Sequence, residues 1–374
     1  MRILLVSRVW PRDERSGVSL CAAVHAQIII DCGHDLAIVG SARSGGYNLG
    51  VSARTYLIKA TGGMSLYSPP RVCTKAVNQV ISRENPDLVV IEGWQTALTE
   101  AFAWCACRAG RRVLVISHGV ALAPYMTGFA WWVRALAWKP YRVVWLPRIV
   151  RKISWLTALD ANCSSDRFLD RDLARQAGTP VSVLTNAPIN WSPARSARHE
   201  RRMQVLCVGY FSPVKNQLAV IRLADAVRDL RLSFVLVGSR SGSYFERCRA
   251  DVRRSGLTNS VSFLDDCDIS IGEEIARSVA VISASLTEVL PIVLLEAMAS
   301  GTPFIAPEVG AIPRLRGGLF ANTDSARIHK LRELLADDCL WAKCAREGID
   351  NYEARFTNAC VASALVHAIQ CATR

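Results

Sequence analysis

Residues 286–301 read LTEVLPIVLLEAMASG. They follow an unbroken apolar run, Val279–Ile282, of the kind expected in a strand buried on both faces. Pro291 stands where a first helical residue tolerates a missing N–H, and Gly301 stands where a helix stops. The spacing therefore predicts strand, loop and helix. Glu288 falls in the loop and Glu296 in the second helical turn, with seven residues between them. A helix start separates the two carboxylates, and its unpaired N–H groups and dipole favour an anion such as a diphosphate. That succession suits a sugar, its diphosphate and a ribose laid along one surface. For the pair taken alone, a plain amphipathic helix with a solvated Glu is the more frequent reading, so the surroundings decide.

Upstream, Val205–Val208 reads as a strand and GYFSPVKNQ (209–217) as the loop after it. Lys215 in that loop can reach a diphosphate as a mobile point charge. Taken in order, VLCVGYFSPVKNQ (205–217), FVLVG (234–238), VAVISAS (279–285) and TEVLPIVLLEAMASGTPFIAPEVGAIPRL (287–315) resemble the donor domain of the retaining glycosyltransferases of family 4. The resemblance is best from about Val205 to Gly318 and weaker over the first half. It implies an α/β chain of the GT-B type, two Rossmann-like domains facing a cleft, with a nucleotide-diphosphate sugar as donor and neither metal nor other cofactor. It puts Glu288 against the transferred sugar, Glu296 on the ribose hydroxyls, and Lys215 with the helix start at Pro291 and Ile292 on the diphosphate. Tyr210 stands where the family commonly has Arg, Val289 where it often has Gly, and Arg314 where it often has Glu.

The chain has 374 residues, 51% of them hydrophobic and 21% charged. That length suits two domains with their own cores and excludes a disordered chain. The resemblance and the composition together give a first domain over 1–190 and a donor domain over 203–355, with the helix of 356–374 crossing back to the first. The stretch from Asn190 to Arg202, rich in Pro, Ser, Arg and Ala, reads as the linker. A net charge of +13 points to an anionic partner, whether membrane, nucleic acid or phosphorylated substrate. The 13 cysteines are odd in number and scattered, so a reducing cytosol is expected, and Cys and the six His show no zinc spacing. The opening MRILLVS fits a first strand better than a signal peptide, and no apolar run is long enough to span a bilayer.

The first half alternates strands and helices, which predicts a parallel sheet with ligands beyond the carboxyl ends of its strands. The Ser16–Gly17 loop lies at such an end. The family's Gly-rich loop carries over to Gly17 alone, against the competing reading of a turn glycine that needs positive φ. Leu88–Ile91 and Val113–Ile116 are strands ending in Glu92–Gly93 and Ser117–His118–Gly119. A solitary His is more often structural, but the family often carries one here against the donor sugar, so His118 is expected to donate a ring N–H to a sugar hydroxyl. Short strands at Ala161–Ser164 and Val181–Leu184 close the domain.

Phe129 to Trp155 holds Trp131, Trp132, Trp138, Trp145 and Trp155 with Arg134, Lys139, Arg142, Arg148, Arg151 and Lys152, and no acidic residue. Indoles interleaved with cations suit an anionic membrane surface. A basic helix packing its Trp on the core is the plainer alternative, and no nucleic-acid module is recognisable. Pro140 and Pro147 predict a broken helix pair. The reading reached is a retaining, metal-independent hexosyltransferase-type enzyme, peripheral on the cytosolic face of the cytoplasmic membrane, acting on a lipid-linked or cell-envelope glycan. Two alternatives stay open. One is a nucleotide-sugar epimerase of the same fold. The other is a non-catalytic membrane or polymer-binding partner, to which Tyr210, Val289 and Arg314 lend weight.

Overall fold

The computed structural model describes residues 1–11, 16–41, 53–120, 128–159, 169–188, 195–266 and 269–374. The expected strand at Ala161–Ser164 and residues 190–194 of the expected linker lie outside them. The chain forms two compact units, Met1–Ile189 with Asn358–Arg374, and Asn190–Thr357.

The strands in chain order are β1 (Arg2–Ser7), β2 (Asp35–Ser41), β3 (Arg54–Ile58), β4 (Ala60–Thr61), β5 (Arg71–Val72), β6 (Leu88–Glu92), β7 (Arg112–Ser117), β8 (Trp155–Leu159), β9 (Val181–Leu184), β10 (Arg202–Val208), β11 (Ser233–Val237), β12 (Val261–Leu264), β13 (Ser278–Ile282), β14 (Phe304–Ala306) and β15 (Gly318–Phe320). The first unit holds a seven-stranded sheet in the order β3-β2-β1-β6-β7-β8-β9, and the second a six-stranded sheet in the order β12-β11-β10-β13-β14-β15. Every pairing in both is parallel, while β4 and β5 form a small antiparallel ribbon. Both large sheets are doubly wound. Their strand order reverses between β1 and β6 in one and between β10 and β13 in the other, and the crevice beyond the carboxyl ends there is where such sheets bind ligands.

The apolar strand runs follow from burial on both faces. Side chains alternate along β1, so Leu4 and Val6 join one core while Ile3 and Leu5 join the other. The second core also takes Val361, Leu365, Ala368 and Ile369 from the helix Asn358–Thr373, which packs against the helix Gly17–Asp31. The chain's last helix is thus part of the first unit's core.

Two local expectations are corrected. Gly17 is the first residue of the helix Gly17–Asp31, with Ser16 as its cap, and it is absent from the positive-φ glycines. A capped helix start has ordinary backbone angles, so no turn glycine is needed there. Instead of a broken pair, the segment after Gly128 is helical to Pro140, makes a π-helical turn over Tyr141–Trp145 and resumes over Leu146–Val150. The wider i→i+5 turn, with the Leu146 N–H bonded to the Tyr141 carbonyl, accommodates the prolines without breaking the rod. Trp155 belongs to β8, where its indole N–H donates to Ser182 Oγ at 2.8 Å.

Arg201 braces the second unit. Its guanidinium donates to the carbonyls of Ala276 (2.8 Å), Ser278 (3.2 Å), Ser300 (2.9 Å) and Gly301 (3.3 Å) and to Thr302 Oγ1 (2.6 Å). Its Nε reaches the Ser196 carbonyl, and the group lies 5.2 Å from the Trp341 ring centroid. The carbonyls of Ser300 and Gly301 directly follow the end of the helix Ile292–Ala299, Ser300 being its C-cap.

Candidate active site

In the second unit, the loops after β10 and β13 flank the reversal of strand order. Lys215 comes from the first and Glu288 from the second, and they meet with Nζ and Oε1 2.5 Å apart. Both side chains are largely shielded, 22% and 11% exposed. Lys215 Nζ also lies 5.9 Å from the Tyr210 ring centroid, while Tyr210 itself is exposed. A cation over the face of an aromatic ring is attracted by its quadrupole, so Tyr210 holds the ammonium where it supplies no charge of its own.

Local hydrogen bonds tie these loops down. Ser212 accepts the Lys215 and Asn216 N–H groups at its carbonyl, at 3.1 and 3.0 Å. Asn216 takes the left-handed conformation at φ 54°, which Asn tolerates, and opens the helix Gln217–Ala226. The buried Gln217 amide donates to the Gly209 and Tyr210 carbonyls, each at 3.1 Å. The Leu286 N–H bonds the Val214 carbonyl at 2.8 Å and the Asn216 amide the Ala284 carbonyl at 3.3 Å, tying the two loops together. Behind Glu288 sits Gly310, at φ +59°, where a Cβ would stand 2.2 Å from the Glu288 carbonyl oxygen. Only glycine fits there. Val289 keeps negative φ, and its carbonyl accepts the Ala311 N–H at 2.8 Å.

Pro291 is the cap of the helix Ile292–Ala299 and Ile292 its first residue, one position later than the sequence suggests. The cap makes no side-chain hydrogen bond to the helix start. Glu296 lies in the second turn and is half-buried. Lys215 therefore meets both Glu288 and Tyr210, and the helix bearing Glu296 follows directly from the Glu288 loop.

In the first unit, His118 follows β7 and faces the end of β6, where Glu92 is register-paired with Ser7 of β1. Glu92 Oε2 is 2.8 Å from His118 Nε2, and Glu92 Oε1 is 2.6 Å from His25 Nδ1. Glu92 and His25 are fully enclosed, and His118 is 11% exposed. Burial works to raise the Glu92 pKa, but the charge of His25 and the hydrogen bonds from both rings win and bring it from 4.5 down to about 2. Cys21, one helical turn from His25, donates to Asn186 Oδ1 at 3.1 Å. Gly17 opens the helix that carries Cys21 and His25. Neither Glu92 nor His25 stands out as a site residue in the sequence. The available signals are a carboxylate closing an otherwise apolar strand and a buried His in a mostly apolar helix.

A carboxylate whose folded pKa lies below its unfolded value contributes stability above the unfolded pKa and loses it as pH falls. Acid titration of the thermal midpoint is accordingly expected to fall more steeply for the native protein than for Glu92→Gln between pH 4.5 and about 2. Parallel curves over that range would contradict it.

The Trp-rich segment divides by direction. Trp145 donates its indole N–H to the buried Glu100 at 2.8 Å, beside Tyr141, whose hydroxyl donates to the same carboxylate at 2.6 Å. Trp138 also packs on the core, with Arg134 5.9 Å from its ring centroid. These two indoles are half-buried rather than exposed: both pack on the core, and Trp145 also places its polar edge on Glu100. Trp131 and Trp132 are exposed, with Phe129, Leu136, Val143 and Val144 and the cations Lys139, Arg142 and Arg148. Among the described residues no cluster of His, Cys, Asp and Glu is placed to hold a metal ion.

Two doubly wound parallel sheets, each with a charged group at its reversal point, define a chain of the GT-B fold class. Residues 202–337 match the family model of glycosyl transferases group 1. Over the whole chain, similar solved structures include Anabaena HepE in complex with UDP and glucose, with TM-score 0.75, 16% identity and coverage of 99% of both chains. Sucrose-phosphate synthase from Thermosynechococcus elongatus gives TM-score 0.73, 14% identity, and coverage of 99% of this chain and 98% of that one. A variant of S. aureus TarM in complex with Fondaparinux, alpha-GlcNAc-glycerol and UDP gives TM-score 0.70, 9% identity, and coverage of 100% and 99%. At these identities the likeness is one of fold. No curated protein matches the chain in sequence.

Proposed function

We propose that the chain is a retaining glycosyltransferase that moves a sugar from a nucleotide-diphosphate sugar to a lipid-linked or cell-envelope glycan at the cytosolic membrane face. The observation that carries this reading is the Lys215–Glu288 pair at the strand-order reversal, directly before a helix start without a side-chain cap, inside the residues matched by the glycosyl transferases group 1 model. A cation and a helix start stabilise the charge that develops on a departing diphosphate. Glu288 then lies against the sugar, Glu296 accepts from the ribose hydroxyls and His118 meets a sugar hydroxyl. The acceptor hydroxyl attacks from the leaving-group face, and the departing phosphate takes its proton. No metal is required in this scheme.

Donor binding is tested by thermal shift with UDP, GDP, ADP and CMP and their sugars, UDP first because HepE and TarM are bound to it in their structures. A nucleotide at 100 times its Kd adds about 2.7 kcal/mol of stability by linkage. The shift is expected for one nucleotide class and is expected to shrink in Glu296→Ala. A folded protein that responds to none would overturn the reading.

The membrane part rests on the exposed face of Phe129, Trp131, Trp132, Leu136, Val143 and Val144 beside Lys139, Arg142 and Arg148. No helix among the described residues is long and apolar enough to cross a membrane. Each Lys or Arg near an anionic surface contributes about 1 kcal/mol. Lys139→Glu with Arg142→Glu is thus expected to weaken sedimentation with phosphatidylserine vesicles by at least ~30-fold, and Trp131→Ser with Trp132→Ser to weaken it further. Unchanged sedimentation in both would remove the membrane from the proposal.

A further inference from the structure

The triad His25–Glu92–His118 has a feature that the sugar contact of His118 alone does not require. The Glu92 carboxylate is fully buried and ionised, so it is an acceptor at both oxygens. At 2.8 and 2.6 Å each oxygen is within hydrogen-bond reach of one ring nitrogen, and two acceptors so placed demand a proton on each of those nitrogens. His118 must therefore carry its proton on Nε2 and His25 on Nδ1. In neutral His118 the other nitrogen, Nδ1, is then a lone pair. The ring expected from the sequence to donate to a sugar hydroxyl instead accepts from one.

We propose that Glu92 is a positioning residue that fixes the tautomer and orientation of His118, so that Nδ1 accepts the O–H of a sugar hydroxyl, with His25 locking Glu92 from behind. The sugar contact rests on the glycosyl-transfer reading; the tautomer does not. The logic is that of an orienting carboxylate behind a catalytic imidazole, where the hydrogen bond at one nitrogen decides what the other can do. The two rings hold the carboxylate from opposite oxygens. Glu92 also ends the strand that borders the reversal point of the first sheet, where its backbone is held by β1 and β7. Cys21 and Asn186 pair with each other nearby, which leaves both Glu92 oxygens to the imidazoles. The ring of His118 passes close to Gly93, where a Cβ would stand 3.8 Å from Cδ2. With only 11% of its side chain exposed, the imidazole is seated by packing as well as by its hydrogen bond.

Glu92→Gln keeps the shape but offers one acceptor and one donor, so one of the two rings must change tautomer. Histidine-selective 15N labelling reads this directly, with His118→Asn assigning the signal among the six His of the chain. The expected result is an Nε2–H tautomer for neutral His118 in the native protein and a changed tautomer at His118 or His25 in Glu92→Gln. Calorimetry with UDP-glucose and GDP-mannose, and with UDP and GDP as controls, supplies the second readout. Glu92→Gln is expected to weaken the sugar nucleotide that binds by about tenfold and to leave the free diphosphate unchanged, a split that general loosening of the fold does not produce. Glu92→Asp, too short to reach both rings, is expected to behave like Gln despite its charge. A native Nδ1–H tautomer, or tautomers indifferent to Glu92→Gln, would overturn the proposal. Equal weakening of the diphosphate and its sugar would do so too, leaving Glu92 a structural residue. A native protein that has the expected tautomer yet binds no nucleotide would overturn the glycosyl-transfer reading, and the sugar contact with it.

Discussion

Arg201→Met is expected to lower the stability of the second unit by about 4 kcal/mol, read from the midpoint of urea unfolding. Methionine keeps an apolar stem of similar length and removes the guanidinium. The carbonyls of Ala276, Ser278, Ser300 and Gly301 and the Thr302 hydroxyl then lose a buried donor together. Each buried polar group left unsatisfied costs about 1–3 kcal/mol, and a cation at a helix C-terminus adds its interaction with the dipole. Burial lowers the Arg201 pKa to about 10 with Glu200 opposing, so the group is cationic at neutral pH. Arg201→Lys is expected to recover only part of the loss, because one ammonium cannot reproduce a fork that serves carbonyls on several segments. With a typical domain only 5–15 kcal/mol stable, the Met variant sits near the edge of folding. The helix end it releases belongs to the helix bearing Glu296, so nucleotide binding should weaken in the same variant. A loss under 1 kcal/mol would show that water replaces the guanidinium at these carbonyls.

Arg201 also shows where sequence reading stops. In the chain it is one of a pair of arginines at the end of the expected linker, and its six hydrogen bonds join segments up to 101 residues apart. Local pattern reports such a residue as surface charge. The parallel sheets were legible because burial on both faces writes itself as unbroken apolar strands, and strand, loop and helix around Glu288 followed from Pro291 and Gly301. The Lys215 and Glu288 positions came from the family resemblance, while their contact came from two loops 73 residues apart meeting at a strand-order reversal. The Trp-rich segment misled in part because composition carries no direction. Trp138 and Trp145 sit among apolar and basic neighbours in sequence just as Trp131 and Trp132 do, and it is the buried Glu100, 45 residues away, that draws the Trp145 indole N–H inward. His25 and Glu92 escaped for the same reason: one sits in a mostly apolar helix, the other closes an apolar strand, and 67 residues separate them.

Glu288→Gln is expected to tighten the binding of free nucleoside diphosphate while abolishing transfer, and Lys215→Ala to weaken both. Lys215 is paired with Glu288 at 2.5 Å, in a setting largely shielded from water. A diphosphate that engages the ammonium must draw it from that partner and must also approach a carboxylate. Replacing Glu288 by its amide removes both penalties. A gain of about 1 kcal/mol, roughly fivefold in Kd, follows from the modest net worth of a charged hydrogen bond that is exchanged and not created. The cost to transfer is larger, since the carboxylate charge is absent where positive charge develops on the sugar. Removal of one such electrostatic contact costs about 10²–10³ in kcat. Lys215→Ala removes the cation that holds the diphosphate and meets its developing charge, so kcat should fall by a similar factor and kcat/KM further, because ground-state hold on the donor is lost as well. Calorimetry with UDP and GDP separates the two variants before an acceptor is identified. If Glu288→Gln weakens the diphosphate as Lys215→Ala does, the pair is a structural clasp between two loops, and the cation that meets the leaving group has to be sought elsewhere.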